Sequence, residues 1–333
     1  MKPKEHIVLL AGGASSEREV SKHSSKGIYS ALIELGYKVS VVDPAYGKSQ
    51  PSDVDSFFDG ADLFPVSEKN YIAAFELPVM QEADSVFLGL HGQFGEDGTV
   101  QALLELLKKR YTGSGVLASS LAMDKHMAKI IMKDHGVESP REVFIPDHQY
   151  DKAAVLKSIL SELSLPCVVK PNDQGSTCGL SVCNTEEEVI PAIEMAFQFS
   201  RAVLVEEFIK GRELTAGIID NVVLPVLEIK PKHELYDYEC KYTSGMTEYF
   251  VPADISPETS SAVQALTLKS FQALGCKSYG RADFRLTESG DLYCLEMNTL
   301  PGMTATSLVP KMAKAAGISF TQLIEKIVKD SLR

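Results

Sequence analysis

Two short runs near the end of the chain carry residues that could act together on a charged ligand. Tyr279–Leu286 and Leu292–Glu296 flank the turn-forming Glu288-Ser289-Gly290-Asp291. That pattern predicts a β-hairpin with Ser289-Gly290 as a two-residue loop. Side chains two apart on a strand share a face, so Arg281 lies with Asp283, and Glu296 with Asn298. Pairing about Ser289-Gly290 sets Asp283 opposite Glu296 and Arg281 opposite Asn298. One patch then holds a guanidinium, two carboxylates and an amide. Opposed carboxylates repel unless a positive charge sits between them. Oxygen donors of this kind suit Mg²⁺, with Mn²⁺ as a substitute, and leave positions for phosphate and water. A solvated, ordinarily charged sheet face is the bland alternative. The turn-rich loop that follows, Asn298-Thr-Leu-Pro-Gly-Met-Thr, is where binding groups usually sit.

Two further stretches have chemical content. Cys167–Lys170 reads as a strand that runs into Lys170-Pro-Asn-Asp-Gln-Gly-Ser-Thr-Cys-Gly179. Strand, lysine and a Gly/Ser-rich loop suit a phosphate cradled by backbone N–H groups, with the lysine as a point charge. A plain turn is the alternative. Near the N-terminus, strand 6–10 meets Ala11-Gly12-Gly13, and Ser16 with Glu19 forms a capping-box pattern that opens a helix to about residue 35. This is not a GxGxxG motif, and Glu17 in the first turn would repel a phosphate. Glu17 either complements the helix dipole or recognises an amine at the open end of a sheet.

These residues need a framework to hold them. Strands at 6–10, 38–42 and 85–90 alternate with helices, which predicts an open parallel α/β sheet over roughly residues 1–120. Residues 44–70 read as loop with short structure. Beyond a helix ending at Lys133, strands are expected at 139–145, 167–170, 202–206, 214–219 and 222–229. Helices are expected at 151–163, 185–199, 257–275 and 319–331. Residues 231–251, dense in Tyr, Lys and Glu, read as one long functional loop. At 333 residues the chain has room for two or three domains. Its net charge of −12 argues against nucleic acid as a partner. No stretch is long and apolar enough for a membrane span or a signal peptide. The six cysteines lack metal-ligand spacing and read as reduced core residues of a cytoplasmic protein.

Taken together, GGASSEREVS (12–21), HGQFGEDGT (91–99), TGSG…MDK (112–125), VVKPNDQGSTCG (168–179), VEEFIKGRELT (205–215), YDYECKY (236–242), GRADF (280–284) and LEMNTLPGMTATSL (295–308) resemble the D-alanine–D-alanine ligases of the ATP-grasp superfamily. The likeness spans nearly the whole chain, and the eight motifs in order are specific. The resemblance implies an N-terminal open α/β sheet (1–122) followed by a two-part α+β ATP-grasp fold (123–210 and 211–333). It implies that ATP phosphorylates the carboxylate of one D-alanine and that the amine of a second attacks the acyl phosphate, supplying a peptidoglycan precursor. Glu17 would hold the first ammonium, with His91 near the substrates. Lys125, Lys170 and Lys241 would meet phosphates, Glu206 and Glu207 would lie by the adenine, and Glu213 would bind the ribose. Ser176, Glu17 and Tyr242 would form a hydrogen-bonded group closing a loop over the site. Asp283, Glu296 and Asn298 would bind Mg²⁺. Arg281 and the N–H of Gly302 would stabilise the oxyanion, and Ser307 with Leu308 would hold the second carboxylate. The resemblance also implies a homodimer. Lys22 stands where an apolar residue is usual, as a surface variation or a change at the edge of the first substrate site. Alternatives are a relative using D-lactate or D-serine second, and a non-catalytic ATP-binding regulator.

Overall fold

Strand β1 (His6–Leu10) is buried along its whole length. Such a run without alternation belongs inside a parallel sheet covered on both faces. It lies between β2 (Lys38–Val42) and β3 (Ser85–Leu88), parallel to both, in the order β2-β1-β3. The computed structural model describes residues 4–232, 246–304 and 306–333. The long loop expected at 231–251, with Lys241 and Tyr242, lies partly outside the described residues. Residues Thr247–Phe250 of that stretch form a strand instead.

Two more sheets follow. One is built from β4 (Glu142–Ile145), β5 (Cys167–Pro171), β6 (Ser181–Cys183) and β7 (Val203–Glu207), in the order β4-β7-β5-β6. The other contains β8 (Arg212–Ile219), β9 (Val222–Val223), β10 (Leu227–Pro231), β11 (Thr247–Phe250), β12 (Tyr279–Leu286) and β13 (Leu292–Asn298). Its order is β11-β10-β8-β12-β13, with β9 on β8. Neighbours in both are antiparallel. No helix among the described residues is long and apolar enough to cross a membrane.

Among the described residues, three apolar clusters hold these layers. The first joins β1–β3 to the C-terminal helix Phe320–Ser331 through Leu323, Ile324, Ile327 and Val328. The second packs Ala118, Ala122, Ala128 and Met132, from the helices Val116–Met123 and Lys125–Asp134, against the third sheet. The last fills the four-stranded sheet and the helices Lys152–Glu162 and Glu186–Ala196. The helices Val116–Met123 and Leu308–Ala315 were not expected from the pattern. The first is apolar apart from Ser119 and Ser120 and so has no polar stripe of helical period, and the second begins only four residues after a turn-rich run.

The first helix corrects one expectation. Its first residue is Arg18, and Ser16 and Glu19 form no capping box. Ser15 takes over the local capping: its Oγ accepts from the Glu17 N–H at 3.2 Å, and its carbonyl accepts from Arg18 N–H at 3.2 Å. Glu19 turns to Lys22 Nζ at 2.9 Å.

The hairpin corrects another. Leu286 pairs with Leu292, the Thr287 N–H donates to Asp291 O and the Gly290 N–H to Thr287 O, so the loop has three residues, 288–290, with Gly290 at φ 93°. A glycine in the left-handed region completes this kind of turn without strain. The turn alone would put Asp283 and Glu296 out of register. A bulge between Asp283 and Phe284 restores it, pairing Asp283 with Glu296 and Arg281 with Asn298. Cys294 and Met297 are both buried, three residues apart. Leu295 and Glu296 between them both reach the cleft, as an extra residue in one strand allows.

Candidate functional site

A cleft of about 550 Å³ opens between the second and third sheets, at the short connection 208–211 from β7 to β8. One wall carries Lys125, Lys170 and the 174–178 loop; the other carries Arg281, Asp283 and Glu296. Val168, Val182, Phe208, Ile209 and Leu295 supply apolar surface. Glu207 and Glu213 also line it, each held by an arginine. Arg141 Nε donates to Glu207 at 2.8 Å, and Arg285 meets Glu213 at 3.1 Å.

Lys125 is held largely by backbone. Lys125 begins its helix, its N–H donating to the Asn172 carbonyl at 3.1 Å. Its Nζ donates to Gln174 O at 2.6 Å and lies 3.6 Å from Glu296. Asn172 is buried, and its amide oxygen accepts from His126 N–H at 2.9 Å. The Asn-Asp-Gln segment therefore ties the loop to the helix. Ser176 and Thr177 have φ of 51° and 58°, a left-handed pair of the kind that turns successive N–H groups into one concavity.

Lys170 is the last residue but one of β5 and pairs with Glu206 Oε2 at 2.8 Å. Glu206 is 3% exposed, and its other oxygen is bonded by Lys129. Burial lowers the Lys170 pKa, and the neighbouring Lys129 and Lys125 push it the same way, with Glu206 opposing. Burial alone would raise Glu206, but Lys170 and Lys129 hold it low. Burial works against a charge on Lys129, yet Glu206 and Glu142 raise its pKa. Glu206, expected beside adenine, is the centre of a buried ionic cluster as well as part of the cleft wall. Lys129 and Glu142 were not foreseen. The signal was present, since Lys129 falls one helical turn after Lys125 and so shares its face.

On the facing strands, Arg281 grips Asp283 with two hydrogen bonds, 2.9 and 2.7 Å. Thr215 Oγ1 donates to Asp283 at 2.6 Å. Asn298 accepts from the Leu300 N–H at 3.0 Å. Asp283, Glu296 and Asn298 thus offer oxygen donors on one face. Among the described residues no group of three or more His, Cys, Asp or Glu could hold a metal ion. Any cation here would rely on the amide and on ligand oxygens.

Glu17, His91, Gly302 and Ser307 lie beside the cleft, where the first sheet meets it. Ser176 Oγ donates a short hydrogen bond to Glu17 Oε1, which joins the two regions. Gly92, at φ 68°, stands so close that a Cβ would lie 2.7 Å from Glu17 Oε2. His91 is buried, its Nδ1–H donating to Leu300 O at 2.9 Å and its Nε2 lying 3.0 Å from Ser24 Oγ. Burial opposes a charge on His91, but Glu96 beside it raises its pKa. Burial raises Glu96 in turn. His91 thereby fastens the loop that carries Gly302. A Cβ on Gly302 would sit 3.0 Å from Ser307 Oγ, and that hydroxyl accepts from Thr304 N–H at 3.0 Å. Leu308 begins the next helix and lines the cleft.

Lys22 is buried, not a surface variation. It holds Asp62 and Glu19, each at 2.9 Å. Arg18 joins it, bonding Asp43 at 2.7 Å, Asp62 at 2.8 Å and the Gly13 carbonyl at 2.6 Å. Burial would raise Asp62, but these cations bring it down to about 2. The network steadies the helix start that presents Glu17.

Two sheets closing on a cleft lined by lysines on one side and acidic strands on the other make an ATP-grasp fold. The family model described as D-ala D-ala ligase N-terminus matches residues 6–114, and that described as D-ala D-ala ligase C-terminus matches 131–329. The D-alanine–D-alanine ligase of Syntrophotalea carbinolica is 43% identical over 323 residues, 97% of this chain and 94% of that one. That of Halalkalibacterium halodurans is 43% identical over 332 residues, 98% and 99% of the two chains. The crystal structure of the D-alanine–D-alanine ligase from Bacillus anthracis complexed with ATP matches with a TM-score of 0.78 at 30% identity, covering 99% and 98%. That of the VanG D-Ala:D-Ser ligase from Enterococcus faecalis matches at 0.82 and 28%, covering 98% and 99%. The chain belongs to the D-alanine–D-alanine ligase family.

Proposed function

We propose that this protein joins two D-alanines into D-alanyl-D-alanine for peptidoglycan synthesis, using ATP and releasing ADP and phosphate. The observation that carries the reading is the cleft itself, with paired lysines and a left-handed Ser-Thr turn facing Asp283, which Arg281 grips, and Glu296 beside it. Relatives bearing the ligase name at 43% identity support it. ATP lies with its adenine against the apolar walls, near Glu206 and Glu207, and its ribose by Glu213. Lys125 and Lys170 attract the phosphates, with Lys241 from outside the described residues. The backbone of the 174–178 loop cradles them. Asp283, Glu296 and Asn298 hold Mg²⁺, since all three offer hard oxygen donors and leave room for phosphate oxygens. When bound, that ion neutralises charge on the transferring phosphoryl group.

Glu17 takes the ammonium of the first D-alanine, next to Ser176, with Tyr242 completing the group. His91 positions the Gly302 loop. Its N–H and Arg281 stabilise the oxyanion that forms when the second amine attacks. Ser307 and the Leu308 N–H, at a helix N-terminus, bind the second carboxylate. Enclosure matters because an acyl phosphate hydrolyses when water reaches it.

The three sheets fall one to each of the spans 1–122, 123–210 and 211–333, which we take as the domains. The protein works in the cytoplasm as a homodimer; buried free thiols at Cys167, Cys183, Cys276 and Cys294 suit a reducing compartment. Sedimentation tests the dimer. The deciding assay is ADP release on mixing with ATP, Mg²⁺ and D-alanine, with the product identified by mass. Release only with D-lactate or D-serine as second substrate moves the reading to the relatives of that kind, as the VanG neighbour allows. No release with any of them leaves an ATP-binding regulator.

A further inference from the structure

Glu142 and Glu206 are direct partners across β4 and β7. Carboxylates facing each other on antiparallel strands repel unless a cation lies between them. In this sheet the cation is Lys129, 4% exposed, which reaches up from its helix. It bonds Glu206 Oε1, lies 3.0 Å from Glu142 Oε2, and is 3.3 Å from the Pro140 carbonyl. Glu206 is thereby shared. One oxygen goes to Lys129 and the other, at 2.8 Å, to Lys170.

The sharing has an electrostatic consequence. If Glu206 had only Lys170 as partner, carboxylate and ammonium would cancel at the cleft wall. Lys129 takes up one side of that carboxylate, so Lys170 meets a partly compensated anion and keeps more of its field for the cleft. An ammonium has three donors, and Glu206 engages it through a single oxygen. On the nucleotide-binding reading given above, on which this inference rests, we propose that Lys129 is a positioning residue for the polyphosphate. It never reaches the ligand and acts by dividing the charge of Glu206, which leaves Lys170 able to attract phosphates.

This role differs from a merely structural one in which part of the nucleotide it affects. Losing the divided charge weakens attraction for phosphates far more than the adenine contacts near Glu206, whereas a distorted cleft weakens both alike. The experiment measures binding of ATP, ADP and adenosine by calorimetry to the full-length wild type, K129M and K129R. For K129M the expected result is an ATP Kd raised about tenfold or more, a smaller rise for ADP, and adenosine within about twofold. K129R, which keeps the charge, should return ATP to within about threefold of wild type. K129M removes the cation between the two facing carboxylates, leaving Glu206 with Lys170 and Glu142 with His126 Nδ1 at 2.5 Å. K129M/E142Q removes one of those carboxylates and carries the same test, because Glu206 still draws wholly on Lys170. An unchanged ATP Kd in K129M/E142Q, or an equal loss of adenosine and ATP binding, overturns the proposal. Failure of the wild type to bind ATP at all would instead overturn the nucleotide reading.

Discussion

At the residue scale, the site depends on charges held in fixed positions, some buried like Lys170 and some half-buried like Glu296 and Glu17. Glu296 sits on the bulged strand, 3.6 Å from Lys125 and opposite Asp283. Glu296→Gln should lower turnover at least about a hundredfold, comparable with the loss of one oxyanion-hole donor. Near wild-type turnover at saturating Mg²⁺ would remove Glu296 from the metal site. Glu17 separates two roles in the same way. Glu17→Gln should raise KM for the first D-alanine and leave ATP binding little changed. A residue that only complements a helix dipole would cost at most about 1 kcal/mol of stability and leave KM alone. Lys170 adds a pH dependence. Burial, with Lys129 and Lys125, lowers its pKa, so it loses its proton below the ordinary lysine value of about 10.4. Phosphate attraction is complete while Lys170 is protonated and fades as pH climbs through its pKa. KM for ATP should therefore begin to rise on the alkaline side before an unperturbed lysine would titrate. A flat KM across that range would show that Lys170 does not carry the attraction.

At the element scale, loops and bulges decide which way these groups face. Gly92 shows the margin. Its φ is 68°, and a Cβ there would stand 2.7 Å from Glu17 Oε2. Gly92→Ala adds left-handed strain of about 1–2 kcal/mol and pushes the Glu17 carboxylate off Ser176. The expected outcome is a modest drop in Tm together with a KM defect for the first D-alanine resembling that of Glu17→Gln. A loss of Tm with unchanged KM would mean that Glu17 tolerates displacement. The bulge at Asp283/Phe284 is the counterpart in the third sheet. It corrects the offset of a three-residue turn and turns Leu295 and Glu296 to the same side.

At the scale of the whole molecule, the net charge of −12 disfavours an anionic ligand. Attraction must come from individual cations aimed into the cleft, which Lys125 and Lys170 supply on one wall and Arg281 on the other. The first and last segments of the chain share one core. Leu323 is fully buried on the C-terminal helix, and Ser331 Oγ lies 2.8 Å from Ser85 Oγ on β3. Leu323→Ala should lower stability by about 2–5 kcal/mol, read from the midpoint of a denaturant curve. A change below 1 kcal/mol would mean that the terminal helix is dispensable to the first sheet.

The sequence predicts the pairing of Asp283 with Glu296 through a two-residue loop, and in the structure it comes from a three-residue loop and a bulge. What the sequence by itself determined was the alternation of elements and the strand that carries Lys170 into its loop. Each of these follows from local periodicity or turn chemistry, which act over a few residues. Local pattern could not show that Glu17 meets Ser176, 159 positions away, because that contact requires the first sheet to dock on the second; only the family resemblance implied it. Nor could it show Lys129 between Glu142 and Glu206, since the cation and the two carboxylates come from three different elements. The helix cap also went elsewhere: Ser16 and Glu19 fit the local pattern, but Lys22, Asp62 and Arg18 bind the charges in its first turn. Local rules choose the elements, and long-range burial decides which charges must be neutralised and by whom.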